Sequence, residues 1–129
     1  MNQGVVTDKR GLELQARLID FAVRMIAVAN ALPRTPVGLH IATQIIRCGT
    51  SPAANYAEAI GSESRADFIH KMAIALKELR EIHVWLQIVS RAGLIKPAHK
   101  LGRLFNECDQ LISIFVSSIN TACKHAISK

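Results

Sequence analysis

Histidine and cysteine are the side chains best suited to holding a metal or attacking a substrate, and this chain has five of the first and three of the second. The histidines (His40, His70, His83, His99, His125) form no H-E-x-x-H pair. A di-iron bundle needs two Glu-x-x-His pairs and two further inward carboxylates. Asp67-x-x-His70 is the nearest approach, and it occurs once. His83 falls on an apolar stripe and reads as a satisfied core or interface histidine. Cys48, Cys108 and Cys123 have no zinc-finger spacing. Cys108 and Cys123 lie fifteen residues apart on one predicted helix. That is ~22 Å of rise, too far for a disulfide. All three cysteines sit in apolar patterns and read as buried thiols. Cys123 and His125 are two apart and do not face each other on a helix. A Cys–His pair drawn from different helices is the one arrangement that spacing does not address. No phosphate loop, dinucleotide fingerprint or nucleophile elbow is present. The expectation is a non-enzyme with no catalytic residue, no cofactor and no metal.

Charge placement says more. Sixteen Lys and Arg against ten Asp and Glu leave +6. No acid occurs between Asp20 and Glu58, nor between Glu81 and Glu107. Those two windows hold Arg24, Arg34, Arg47, Arg91, Lys96, Lys100 and Arg103, seven positive charges. The other nine basic residues face all ten acids, so the entire excess lies in the windows.

Four helical segments must position these charges. Pro33 and Pro36 close the first, Gly61 and Ser62 the second, and Gly93 the third, while Pro97 suits the first turn of a fourth. Helix one runs from about Leu12 to Leu32 with Leu14, Leu18, Phe21, Met25 and Leu32 on one face. Helix two runs from about Pro36 to Ile60, with Thr35 as N-cap. Helix three opens on Ser64 and Asp67, near a capping box, and carries Phe68, Met72, Leu76, Leu79, His83 and Leu86. Helix four carries Leu101, Leu104, Cys108, Leu111, Phe115 and Ala122. No hairpin signal argues for a sheet. Short connections make neighbours antiparallel, so the expected fold is all-α, an up-down-up-down antiparallel four-helix bundle. The expected division is a flexible N-terminus over 1–10, one bundle domain over 11–126 and a tail over 127–129. One core suits a chain of 129 residues.

Half the residues are apolar and only six are aromatic, which excludes a disordered chain or a disulfide miniprotein. No run reaches the ~20 apolar residues of a membrane span, and Met1 to Arg10 lack an apolar signal core. The chain reads as cytoplasmic. Second apolar stripes appear on helix one (Leu12, Ile19, Val23, Ile26) and helix four (Phe105, Ile112, Val116, Ile119). Ile74 and Trp85 fall within the charged side of helix three. A surface helix shows one apolar stripe, so the extra ones point to burial between subunits. The plainer reading is a wider core with some exposed aliphatics.

Helix two is unusual. Gly49 and Pro52 fall in its middle, and a kink is expected near Pro52. Gln44, Arg47, Ser51, Asn55, Glu58 and Ser62 recur at three- and four-residue steps and form one polar stripe. Its plain reading is a solvent face; the alternative for Asn55, just after the kink, is to answer a carbonyl freed by Pro52. The run Gln44-Ile-Ile-Arg47-Cys-Gly-Thr-Ser51-Pro52-Ala-Ala-Asn55-Tyr-Ala57-Glu58 resembles the signature of the small four helix bundle proteins. These include proteins encoded by intervening sequences within bacterial large-subunit ribosomal RNA genes. Ser64 to Glu81 is similar to the same family, and the resemblance covers roughly Leu14 to Phe115. In the family pattern a glycine usually follows the glutamate; here Ala59 stands there, with Gly61 two later. The resemblance implies a ring-forming bundle, typically a homopentamer. It also implies a distant link to the accessory variability proteins of diversity-generating retroelements, basic pentamers that bind a reverse transcriptase and nucleic acid. It supplies no catalytic residue. Arg47, Ser51, Pro52, Asn55 and Glu58 carry over as family-signature positions with a structural role.

In an up-down bundle the one–two and three–four connections share an end. Arg34, Arg91, Lys96, Lys100 and Arg103 then cluster there, with His40 and His99 nearby. Lys96, Lys100 and Arg103 also lie at the start of helix four, where the dipole disfavours cations. Such an end is an electrostatic footprint for RNA or DNA phosphates, without sequence preference. The expected function is a ring-forming accessory module that binds nucleic acid. The alternative is a protein-interaction scaffold with no nucleic-acid role.

Overall fold

The computed structural model describes residues 9–127. It contains four helices, α1 (Lys9–Ala31), α2 (Pro36–Ile60), α3 (Arg65–Arg91) and α4 (Gly102–Ile127), with a 3-10 turn (Ala98–Leu101) leading into α4. There is no strand among the described residues. The boundaries follow local chemistry. Thr35 caps α2 by accepting from the Gly38 amide at 3.1 Å. Ser64 caps α3 by accepting from the Asp67 amide at 3.1 Å. Gly93 takes a φ of 65° just beyond α3, the left-handed conformation that glycine adopts without a Cβ clash.

Three ends differ from the expected ones. α4 starts at Gly102 and not at Pro97, which precedes the 3-10 turn, so of Lys96, Lys100 and Arg103 only Arg103 lies in its first turn. α1 starts at Lys9, so Lys9 and Arg10 belong to the helix and not to a flexible segment over 1–10; residues 1–8 lie outside the described ones. The apolar pattern under-reads this end because the first turn is anchored by backbone. Gly11 is buried, and its carbonyl accepts from the Tyr56 hydroxyl at 3.5 Å. At the other end α4 includes Ile127, the first residue assigned to the tail, while 128–129 are not described.

The core is aliphatic. α3 supplies Met72, Ala75, Leu79, Ile82, Leu86 and Val89, and α1 supplies Leu18, Phe21, Met25 and Val28. α2 adds Ile41, Ile45, Cys48 and Tyr56, and α4 adds Leu104, Cys108, Leu111 and Phe115. Tyr56 meets Phe115 edge-on with centroids 5.9 Å apart. α2 packs extensively on both α1 and α3, and α4 packs on α3, whereas α1 touches α4 more sparsely. Residue pairs that meet between successive helices run in opposite order. Gln15 reaches Ala53 while Met25 lies against Gly49. Lys71 reaches Glu58 while Glu78 reaches Arg47.

α2 remains helical through Pro52, which is buried. Asn55 does not answer the carbonyl that Pro52 frees, four residues back at Cys48. Its Nδ2 donates instead to the Ser51 carbonyl, at 3.2 Å. The second stripe on α1 is exposed as expected. That on α4 is not: Phe105, Ile112, Val116 and Ile119 are half-buried, and all but Val116 pack against the core. Ile74 and Trp85 are likewise half-buried.

Gly49 sets how closely α1 and α2 approach. A Cβ there would lie 2.6 Å from Met25 Cγ and 2.7 Å from Met25 Cβ. Gly49→Val is therefore expected to destabilise the protein by about 1–3 kcal/mol through overpacking, measured by urea denaturation. Unchanged stability would mean that α1 can move away at no cost.

Candidate nucleic-acid interface

Two connections present the basic residues. The α1–α2 connection holds Arg34 between Leu32, which is buried, and the Thr35 cap. Gly38 permits this tight passage, because a Cβ there would lie 1.9 Å from the Pro33 carbonyl oxygen. The α3–α4 connection starts at Arg91, the last residue of α3. After Gly93, the Leu94 amide donates to the Val89 carbonyl at 3.1 Å. Leu94 and Ile95 then pack against the core. Lys96 follows, exposed, before the cis peptide to Pro97. Lys100 lies in the 3-10 turn, its amide donating to the Pro97 carbonyl at 3.1 Å. Leu101, buried, pins that turn, and Arg103 sits in the first turn of α4. The connection is thus anchored by apolar side chains and covered by cations.

Arg34, Arg91, Lys96, Lys100 and Arg103 are all exposed. None has an ion-pair partner among the described residues. Of the two histidines expected nearby, His99 is exposed. His40 is exposed as well, and its ring meets Trp85 of α3 edge-on with centroids 6.1 Å apart.

The polar stripe of α2 is not a plain solvent face, because it meets α3. Arg47 pairs with Glu78 at 2.9 Å and with Glu81, and also donates to Gln44. Glu58 pairs with Lys71 at 2.7 Å. Hydrogen bonding to Glu81 raises the Arg47 pKa, and hydrogen bonding to Glu58 raises that of Lys71. Glu81 itself is held below its ordinary range, first by the Trp85 indole N–H at 3.0 Å and then by Arg47. Pro52 is buried, and the Ser51 hydroxyl is buried with no partner among the described residues. Arg47 is therefore spent on two carboxylates, and sequence spacing missed this because those carboxylates lie on another helix.

Nothing gathers the candidate catalytic groups. Among the described residues no three His, Cys, Asp or Glu side chains converge on a possible metal position. His83 pairs with Asp109 at 3.0 Å and stacks edge-on against Phe105. Burial pushes the Cys48 and Cys108 thiols up to about 12. The first donates to the Gln44 carbonyl, the second to that of Leu79. Cys123, expected to be buried, is half-exposed. An open cleft of about 970 Å³, unmarked by any sequence signal, lies where the α2–α3 connection meets the end of α4. No described helix is long and apolar enough to cross a membrane.

Two measurements check these assignments. At pH 8, a thiol reagent such as Ellman's should modify one cysteine promptly in the native protein and all three in denaturant; three prompt thiols would contradict the burial. Because the folded pKa of Glu81 is depressed, its contribution to stability is present above the ordinary glutamate value of about 4.3 and is lost as pH falls through the depressed one. Urea midpoints should therefore fall on acidification below that value, and Trp85→Phe should flatten part of the slope. An equal slope would remove the indole from this role.

Comparison with known proteins agrees with the all-helical fold. A family model described as 23S rRNA-intervening sequence protein matches residues 10–117. A crystal structure from Bacteroides thetaiotaomicron, described as a protein of unknown function from the S23 ribosomal protein family, is 33% identical with a TM-score of 0.76. The match covers 83% of this chain and 95% of that one. No curated protein matches the chain. With the family model spanning nearly all of the four helices, the chain belongs to the 23S rRNA-intervening sequence protein family.

Proposed function

We propose that this protein is a non-enzymatic accessory module that assembles into a ring and binds nucleic-acid phosphates through one basic end. In this reading the helices run up, down, up and down, α2 bends near Pro52, and both basic connections share an end. The opposite order of the meeting residue pairs supports that topology. The observation that carries the reading is the set of five exposed cations on the two connections. Arg47 and Lys71 are engaged by carboxylates, whereas Arg34, Arg91, Lys96, Lys100 and Arg103 are among the cations with no ion-pair partner among the described residues. Arg103, in the first turn of α4, works against the dipole, whereas Arg91 at the end of α3 is favoured by it. Phosphates would give all five a partner.

Binding to phosphates releases counterions and confers affinity without sequence preference. A ring repeats the end in every copy and multiplies the effect. The family description makes RNA the first nucleic acid to test. The likeness to accessory variability proteins makes a homopentamer the expected assembly and a reverse transcriptase the expected enzyme to assist, in the cytoplasm. Ser51, Pro52 and Asn55, with the paired Arg47 and Glu58, hold α2 in place. A second reading, a protein-interaction scaffold without nucleic acid, is favoured by the exposed aliphatics of α1.

The test is RNA and DNA binding across a salt series. The parent should lose affinity steeply with salt. Lys96→Glu, Lys100→Glu, Arg103→Glu together should weaken binding at least roughly tenfold and shrink the slope of log K against log salt by about one unit for each phosphate no longer neutralised. A variant that keeps the parent's mass and helicity yet binds equally well overturns the basic end. A protein partner retained at high salt, with no nucleic acid bound at low salt, supports the scaffold.

A further inference from the structure

Where α2 begins and α3 ends, aromatic and aliphatic side chains reach the surface beside the basic connections. Val37 and His40 are three apart and share a face of α2; Trp85 and Ile88 do the same on α3. The His40 and Trp85 rings meet edge-on, with centroids 6.1 Å apart, and so join the two rows. Val84 lies one turn before Ile88. Val37, Val84 and Ile88 are 60, 52 and 40% exposed, His40 is exposed and Trp85 is half-buried. Exposed apolar side chains gathered in one place mark binding surfaces.

The surrounding charges indicate the ligand. Arg34 lies three residues before Val37, and Arg91 three after Ile88, in line with Val84 and Ile88. Both arginines are exposed, with no ion-pair partner among the described residues. α3 beyond Glu81, both connections and α2 before Glu58 contain no acid. The acids on the inner side of the patch are Glu78 and Glu81. Arg47 pairs with both, Glu81 also accepts from the Trp85 indole N–H at 3.0 Å, and Lys77 supplies a second cation against the two. Glu107 and Asp109 belong to α4, where they pair with Arg17 and His83.

An apolar, ring-bearing surface bordered by cations fits a ligand with flat apolar faces on an anionic thread. Unpaired nucleotides have both features, whereas a duplex keeps its base faces stacked inside. We propose that this patch stacks unpaired bases of single-stranded nucleic acid, with Arg34 and Arg91 on the flanking phosphates. The exposed His40 ring is the stacking platform, and Val37, Val84 and Ile88 widen it. This inference rests on the nucleic-acid reading above and names the form of nucleic acid that the basic end takes.

Trp85 is the one tryptophan of the chain, so its emission reports on the patch. The test titrates the protein with a single-stranded oligouridine, an RNA duplex of equal length and phosphatidylserine vesicles, at one low salt concentration. The single strand should change the Trp85 emission, and the duplex should not. Val37→Ser with His40→Ala, both at exposed positions, should keep the parent's helicity by circular dichroism. It should lose roughly five- to a hundredfold in affinity for the single strand while holding the duplex as the parent does. His40→Tyr keeps a stacking ring and should keep the single-strand affinity. A double variant that binds the single strand like the parent, or loses both RNAs alike, overturns the stacking patch and leaves the basic end standing. A parent that binds vesicles but neither RNA overturns both, as does one that binds none of the three. The substitutions spare Lys96, Lys100 and Arg103, so phosphate binding by the basic end reports separately.

Discussion

The stripe of α3 from Met72 through Ala75, Leu79, Ile82 and Leu86 to Val89 is sealed from water along its whole length, and the other elements are arranged to keep it so. α2 covers one flank and α4 the other. α1 then closes over α2, where Gly49 lets Met25 approach closely. Polar residues work at the margins of this seal. Arg47 and Glu58 on α2 grip Glu78, Glu81 and Lys71 on α3. Such partly exposed pairs contribute little individually, but they fix the register in which the aliphatic stripe is covered.

The same packing decides which charges are available. A carboxylate that lies across from an arginine removes it from any role toward a ligand. Arg17 is occupied by Glu107 at 2.7 Å and by Gln110, and its pKa is raised by that hydrogen bond to Glu107. The cations on the two connections lack such neighbours because the acid-free stretches of sequence coincide with the ends of helices. Charge excess is thus placed by topology and kept by the absence of nearby acids.

The helices and their punctuation are legible in the sequence because the signals are local. Thr35, Ser64 and Gly93 cap or terminate as their types require. The partners of the α2 stripe are not legible, since a solvent face and a helix–helix seam share the same three- and four-residue spacing. Only the register between α2 and α3 separates them. Surface aliphatics are readable where they form a line, as on α1. Val37, Leu39, Ile46, Val84 and Ile88 give no such signal because they form no long line at helical spacing. The second stripe on α4 reads as a surface for a partner, yet its width matches a core that wraps further round the helix. Of the candidate interface, the identity of the five cations is readable; the contact of His40 with Trp85 on another helix is not.

The sparse meeting of α1 with α4 has a consequence for motion. Their side chains are linked by Arg17 to Glu107 and Gln110, whereas α1 is bound closely to α2 along its length. Sparsely packed regions open at lower free energy than the global unfolding. The seam between the first and last helices is accordingly where local opening is expected first, with the amides of α2 and α3 expected to exchange most slowly.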